Sequence, residues 1–300
     1  MHPKVDIIVI NWNNKADTIA CLDSLKSLNY PDFKIIVIDN GSTDDSVIGI
    51  KKAYPSITLI ENRKNLGFSG GNNVGIRLAL NDGADYVLLI NNDTVVDSGF
   101  LGELIRVVES DPSIGIVGPK IYYYDDPKRI WFAGGAINYW WGHLYHVGYM
   151  EEDVGKYDVI RDVDSITGCA MLIKRKVLEE IGLLCEDMFL YFEDTDFCVR
   201  AYKKGYRLVY VPTSVIWHKV SRTTSKIKGL QFYYNIRNWL IFMRRHASPL
   251  QLAVFLPFYA IRYMGYNVIV AILTGNFSEA KLYLKATYDG LTHRCGTGFL

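Results

Sequence analysis

Residues 5–14, VDIIVINWNN, decide the fold class. Positions 5–10 form a nearly unbroken apolar, β-branched run, as expected of a strand buried on both faces of a mostly parallel sheet, and the run ends on the polar group Asn11, Trp12 and Asn13. The same unit returns downstream. Positions 35–38 lead into Asp39 and Asn40, 57–60 into the polar stretch 62–65, and 86–90 into Asn91, Asn92 and Asp93. Between these runs the apolar residues recur at helical spacing, as in Thr18, Cys21, Leu22, Leu25 and Leu28, and again in Ile76, Leu78, Ala79 and Leu80. Strand, helix, strand, helix over the first 110 or so residues predicts a doubly wound α/β fold, whose ligands bind at the carboxyl ends of the strands. Those ends are where the polar residues gather.

The rest of the chain is less regular. Residues 114–174 are rich in Gly, Tyr and Trp and are expected to form irregular strands and loops; the line WFAGGAINYWWGHLYHVGY at 131–149 offers rings suited to stacking on sugars, but also to plain packing. A helix is expected over 193–204, then a strand over 209–211, with His218 in the loop beyond it, then a basic Ser/Thr-rich loop and apolar stretches at 230–243 and 250–273.

At 300 residues, with 49% hydrophobic and 22% charged residues, the chain can bury a full core without disulfides or structural metal. The cysteines (21, 169, 185, 198 and 295) form no C-x-x-C pair, which argues against a zinc ribbon or redox motif and suits a reducing, cytoplasmic setting. Net charge is only +1, but residues 1–196 carry 30 acidic against 18 basic side chains, whereas 197–278 hold 12 Lys and Arg and no Asp or Glu. That second stretch is expected to attract anions: ligand phosphates, a lipid phosphate or an anionic membrane surface. Nucleic acid is not expected as a partner, since no recognised binding motif accompanies the charge. Asp6 inside the first apolar run argues against a signal peptide.

Three motifs carry chemistry. The segment NLGFSGGNNVG at 65–75 lacks the spacing of a dinucleotide loop and the G-K-[ST] of a P-loop, so hydride transfer and nucleoside triphosphate hydrolysis lose support. Its glycines still allow a backbone to pass close to a ligand at a helix start, where free N–H groups face it. At the mouth of the fourth run, Asn91 and Asp93 at i and i+2 on an extended segment would point the same way, toward one divalent cation; alone, N-N-D is also a common turn. Finally, EDTD at 193–196 opens a helix, where a carboxylate can accept the proton of a sugar hydroxyl or simply cap the helix.

In order and spacing, VDIIVINWNN, VIDNGSTDDS, NLGFSGGNNVG, LLINND and FLYFEDTDFCVRA resemble glycosyltransferase family 2, and within it the rhamnosyltransferase-like branch that builds surface polysaccharides, over residues 4–220. The resemblance implies a GT-A fold, a nucleoside-diphosphate sugar donor (dTDP- or UDP-linked), a divalent cation (Mn2+ or Mg2+) and inversion at the anomeric carbon. It implies that Asp39 reads the pyrimidine base, with Asn11, Asn13, Asn92 and the 65–72 loop (Asn65, Gly71, Asn72) lining the donor. Asp93 would end the D-x-D metal motif, whose first Asp is here Asn91. His218 would be a second metal ligand, Asp194 the base, and Arg222, with Lys219 and Lys226 on the basic loop, a partner of the leaving diphosphate.

The resulting expectation is a GT-A domain at 1–225, divided into a nucleotide-binding half (1–112) and an acceptor half (113–225), followed by a basic, apolar helical region at 226–300. The acceptor would be a glycan or lipid-linked saccharide. Residues 250–273 are long enough to span a bilayer, but Arg262 at their centre, with Gln251 and Asn267, favours a pair of interfacial helices on the cytoplasmic face of the membrane; a helical cap or a homodimer contact is the alternative. Two other functions fit less well: a sugar-nucleotide nucleotidyltransferase, which would be expected to carry a G-x-G-T-R-like loop, and a catalytically idle subunit of a polysaccharide assembly complex, hinted at by Asn91.

Overall fold

The computed structural model describes residues 2–220 and 229–292. Arg222, Lys226 and Cys295 lie outside the described residues. The amino-terminal half is the expected alternation: β1 (Val5–Asn11), α1 (Lys15–Leu25), β2 (Phe33–Asp39), α2 (Ser46–Ala53), β3 (Thr58–Glu61), α3 (Gly67–Asn81), β4 (Tyr86–Asn91), β5 (Thr94–Val96) and α4 (Phe100–Val108). Strands β3, β2, β1 and β4 lie side by side and parallel. Chain order reverses between β1 and β4, so their carboxyl ends, with Ile10 opposite Asn91, form the crevice where ligands of such sheets bind.

The sheet continues through residues expected to be irregular. After β6 (Ile114–Tyr123) come β7 (Ile130–Phe132), β8 (Gly135–Asn138), β9 (His143–His146), β10 (Arg161–Asp162), β11 (Ala170–Lys174) and α5 (Arg175–Ile181). β11 is antiparallel to both β4 and β6, and β12 (Arg207–His218) runs parallel to β6. The expected strand at 209–211 is therefore the middle of a much longer one. Its pairing shifts register between Val211 and Val215, across Pro212, and then resumes, so His218 ends a core strand instead of sitting in the following loop.

Helix α6 (Glu193–Lys203) precedes β12, and among the described residues after it lie the α-helices α7 (Leu230–His246), α8 (Pro249–Phe258), α9 (Tyr266–Leu273) and α10 (Phe277–Leu291). A π-helical stretch, Tyr259–Gly265, joins α8 to α9, making Pro249–Leu273 one 25-residue helix instead of the expected pair. Helix α7 is buried nearly all round and is the centre of a second apolar core with Met188, Phe189, Phe255 and Tyr283.

The charge asymmetry resolves inside the fold. Arg200 pairs with Asp196, Arg207 with Asp111 and Asp162, Lys219 with Asp17, and Arg245 with Asp187, while Arg237 is fully buried on backbone carbonyls. Many of the cations expected to draw external anions are thus matched by carboxylates of residues 1–196 or held on main-chain oxygens.

Candidate active site

A cavity of about 390 Å³ opens at the carboxyl ends of β1 and β4, bounded by Trp12, Asn91 to Asp93, Thr167 to Cys169, Phe189 to Thr195 and His218. Asn91 ends β4, and Asn92 and Asp93 form the turn into β5. The extended geometry expected for 91–93 is therefore replaced by a tight turn, yet Asn91 and Asp93 still line the same cavity. That turn sets Asp93 beside the end of β12, where Asp93 Oδ1 lies 3.1 Å from His218 Nε2. Both side chains are nearly buried, and the other ring nitrogen of His218, Nδ1, has no hydrogen-bond partner among the described residues. Trp131 stands edge-on to His218 and to His146, with ring centroids 4.6 and 4.7 Å away.

The donor residues expected from the sequence fall into two groups. In the first, Asn11 donates to Asp39 Oδ1 (2.8 Å) and accepts from Thr18, Thr18 accepts from Asn92 (2.8 Å), and Asp39 Oδ2 accepts the Ser42 N–H (2.9 Å). Asn13 accepts the Thr43 N–H at 2.7 Å and receives no ligand-facing role from this network, which locks the loops after β1, β2 and β4 together. The second group is the glycine segment. It is part of α3 itself, not a loop ahead of it: a Cβ on Gly71 would lie 2.3 Å from Ile10 Cδ1, and one on Gly75 2.7 Å from Ile8, so these glycines let α3 settle onto β1. Asn72 donates to the Phe68 carbonyl within the helix, and neither it nor Gly71 lines the cavity. The N–H groups of Phe68 and Ser69, expected to face a ligand, donate to the Phe189 carbonyl. Asn65 does reach the cavity, oriented by Asn40, which also binds the Gly67 carbonyl.

The EDTD segment separates into three environments. Asp194 lines the cavity, its Oδ2 accepting the Gly168 N–H (2.8 Å) and its Oδ1 that of Thr195 (2.6 Å). Glu193 is buried, its Oε2 without a partner among the described residues; burial, reinforced by the adjacent Asp194 charge, pushes its carboxyl well above the usual range. Asp196 points away, to His246 (2.8 Å) and Arg200 (2.9 Å). Burial alone would raise its pKa, but these partners outweigh that and hold it below the ordinary value. Lys219, expected to meet the diphosphate, is instead 2.7 Å from Asp17.

Sequence reading missed two features. His146 and Trp131 line the cavity; burial lowers the imidazole's pKa, partly offset by Asp194. The other is the segment before Asp194, in which Phe189, Tyr191 and Phe192 all have φ between 62° and 71°, a left-handed conformation that bulky residues rarely adopt. Buried Asn238 holds it by donating to the carbonyls of Met188, Leu190 and Tyr191 (2.7, 2.8 and 2.8 Å), and Arg237 donates to Asp187 and Met188. Only the aromatic line at 131–149 hinted at the first; nothing in the sequence marked the second.

Asp93 and His218 offer two convergent donors of the oxygen and imidazole types that Mn2+ and Mg2+ accept, and among the described residues no cluster of three or more His, Cys, Asp or Glu is present to complete a shell. The pair thus fits a cation that takes its remaining ligands from diphosphate and water.

Glycosyl transferase family 2 matches residues 6–182. The dTDP-rhamnosyl transferase RfbF of Shigella flexneri is 22% identical over 99% of both chains, and the N-acetylglucosaminyl-diphospho-decaprenol L-rhamnosyltransferase of Mycobacterium tuberculosis is 25% identical over 83% of this chain and 87% of its own. Among solved structures, the mannosyltransferase PcManGT from Pyrobaculum calidifontis, in complex with GDP-Man and Mn2+, superposes with a TM-score of 0.61 over 97% of this chain and 88% of that one, at 16% identity. The GT-A architecture, the order of motifs along the strand ends and the extent of the match agree: the chain belongs to glycosyl transferase family 2, and rhamnosyltransferases are among its relatives.

Proposed function

We propose that the chain is an inverting, metal-assisted glycosyltransferase that moves a sugar from a nucleoside diphosphate to a hydroxyl of a lipid-linked saccharide at the cytoplasmic face of a membrane. The two rhamnosyltransferase relatives favour dTDP-rhamnose as donor, and the name of the mycobacterial one favours an acceptor carried on a lipid diphosphate. The observation that carries the reading is that Asp194 and the Asp93–His218 pair line one cavity at the switch point of the sheet.

In this mechanism Asp194 accepts the proton of the acceptor hydroxyl as its oxygen bonds to the anomeric carbon. The bond from that carbon to the diphosphate oxygen breaks on the opposite face, and configuration inverts. The Gly168 and Thr195 N–H groups fix the carboxylate for this task. Asp93 and His218 would hold the divalent cation, which when bound neutralises charge on the departing diphosphate. Asn65, reaching the cavity beside Asn40, would contact the donor, while Asn11, Asp39 and Asn92 hold the strand-end loops that shape the base site. The division assigns donor binding to residues 1–112 and acceptor binding to 113–225, with the carboxy-terminal helices as the membrane-facing part.

The test is transfer from dTDP-rhamnose and from UDP-sugars to a synthetic prenyl diphospho-saccharide, with and without Mn2+, reading the anomeric configuration of the product by NMR. Inverted product that forms only with metal is expected. Retention of configuration would overturn the mechanism, and donor binding without hydrolysis or transfer would make the chain a catalytically idle subunit.

A further inference from the structure

A second cavity, of about 700 Å³, lies between α7 and the Pro249–Leu273 helix, walled by Trp239, Phe232 and Tyr283 and carrying Arg262 and Asn267. It shares Leu144, Tyr145, Phe192 and Asn235 with the cavity that holds Asp194, so the two meet along one wall. Resting on the acceptor class argued above, we propose that this groove binds the phosphate of the lipid-linked acceptor at Arg262, threads its saccharide past Tyr145 and Phe192 toward Asp194, and lets its hydrocarbon run out along the helix.

Three observations carry this. Charge is the first: Arg262 forms no ion pair with any described residue, its guanidinium resting over the rings of Tyr266 (4.9 Å) and Tyr263 (5.9 Å), and no Asp or Glu lines the groove. An arginine placed so is a fork for a phosphate, and its neighbours in this region, Arg237, Arg244 and Arg245, are by contrast engaged within the fold. The second is the surface beyond it. The 25-residue helix contains an 18-residue stretch with a mean hydropathy of 1.3 and leaves Ile261, Ile269 and Leu273 exposed, followed by Phe277 and Leu284 of α10. A soluble surface gains nothing from such a band, whereas a prenyl chain or the acyl region of a leaflet covers it. The third is continuity, since Arg262 and Asn267, midway along this band, line a groove that shares a wall with the Asp194 cavity. A cation halfway along an apolar helix is costly in a bilayer and useful at the boundary where a lipid phosphate meets its sugar.

Binding of farnesyl diphosphate to the full chain tests this, measured by calorimetry with the donor site already filled by UDP and Mn2+. Farnesol and inorganic diphosphate serve as comparison probes. Arg262 is solvent-exposed, so Arg262→Gln should fold, and the UDP affinity of the same sample verifies it. Expected are at least tenfold weaker farnesyl diphosphate binding in Arg262→Gln, smaller loss in Arg262→Lys, and unchanged farnesol binding. Equal affinity in wild type and Arg262→Gln, inorganic diphosphate binding as tightly as the farnesyl compound, no detectable farnesyl diphosphate binding, or a wild-type dimer that covers the groove in light scattering would each overturn it. The readout does not depend on turnover. Failure of sugar transfer in the wild type would defeat the glycosyltransferase mechanism while leaving this binding result to stand or fall by itself.

Discussion

His246 Nε2 lies 2.8 Å from Asp196 Oδ1, and this contact ties the start of α6 to the end of α7 while turning Asp196 away from the cavity that Asp194 lines. Two carboxylates one residue apart on either side of Thr195 thus serve different ends. Asp196→Asn should cost stability, about 1.5–3 kcal/mol as for a hydrogen bond to a charged partner, with turnover changed only a few-fold. Because burial is outweighed by His246 and Arg200, the folded pKa of Asp196 is depressed. Its contribution is therefore complete above the unfolded value of about 3.9 and fades as pH falls below it. Thermal melts of wild type and Asp196→Asn should converge in that acid window and stay apart at pH 6–8; parallel curves throughout would show that the ionised form is not what stabilises.

Asp194→Asn is expected to lower turnover by about 10²–10⁴-fold while donor affinity changes little, since general-base catalysis is worth that much. The amide cannot accept from both Gly168 and Thr195, so a stability loss of about 1–2 kcal/mol accompanies it. Calorimetry with UDP and Mn2+ separates the two effects. Normal binding with less than a tenfold fall in rate would transfer the base role to another group.

Asp93→Ala and His218→Ala should each weaken Mn2+-dependent UDP binding, the first more because it removes the charged donor, and excess EDTA should abolish activity. Mn2+ or Mg2+ should restore it better than Ca2+, which prefers a larger and looser shell. Full activity in EDTA excludes the cation from the mechanism.

Glu193 presents the opposite sign to Asp196. Burial, together with the Asp194 charge, raises its folded pKa well above the unfolded value of about 4.3, so the wild type is favoured at acid pH and loses stability as pH rises through that interval. Glu193→Gln, which stays neutral, should gain in Tm relative to wild type between pH 4 and 8. A constant difference across that range would mean that Glu193 remains ionised in the folded protein.

The amino-terminal half of this fold is legible because strands buried on both faces, such as β1 and β4, read as continuous apolar runs. β6 escaped notice although it is almost wholly buried: Gly115, Gly118, Pro119 and Lys120 interrupt its pattern. The glycines are there for packing, as a Cβ on Gly115 would lie 2.7 Å from Val177 and one on Gly118 2.3 Å from Ile166. β12 was cut short by Pro212 and Thr213 at its register shift. In the site, residues next to motif landmarks could be found, whereas the pairing of Lys219 with Asp17 and the support beneath Asp194 come from partners far away in sequence that no local spacing records.

That support yields the last prediction. Asn238 is buried on α7 and donates to three carbonyls of the 188–191 segment, where Phe189, Tyr191 and Phe192 hold left-handed backbone angles immediately before Glu193 and Asp194. Each such residue costs about 1–3 kcal/mol and persists only where its surroundings fix it. Asn238→Ala would take its donor from the Leu190 and Tyr191 carbonyls, leave the Met188 carbonyl to Arg237 alone, and should lower stability by about 2–4 kcal/mol. If the clamp also positions Asp194, kcat should fall at least tenfold below the melting range while the KM for donor stays within threefold, because the loops after β1 and β2, proposed above to shape the base site, are tied by a separate network. Asn238→Asp, similar in shape but with no donor in its ionised form, should resemble Asn238→Ala. A destabilised variant with wild-type kcat at low temperature would show that Asn238 holds the fold and leaves the base alone.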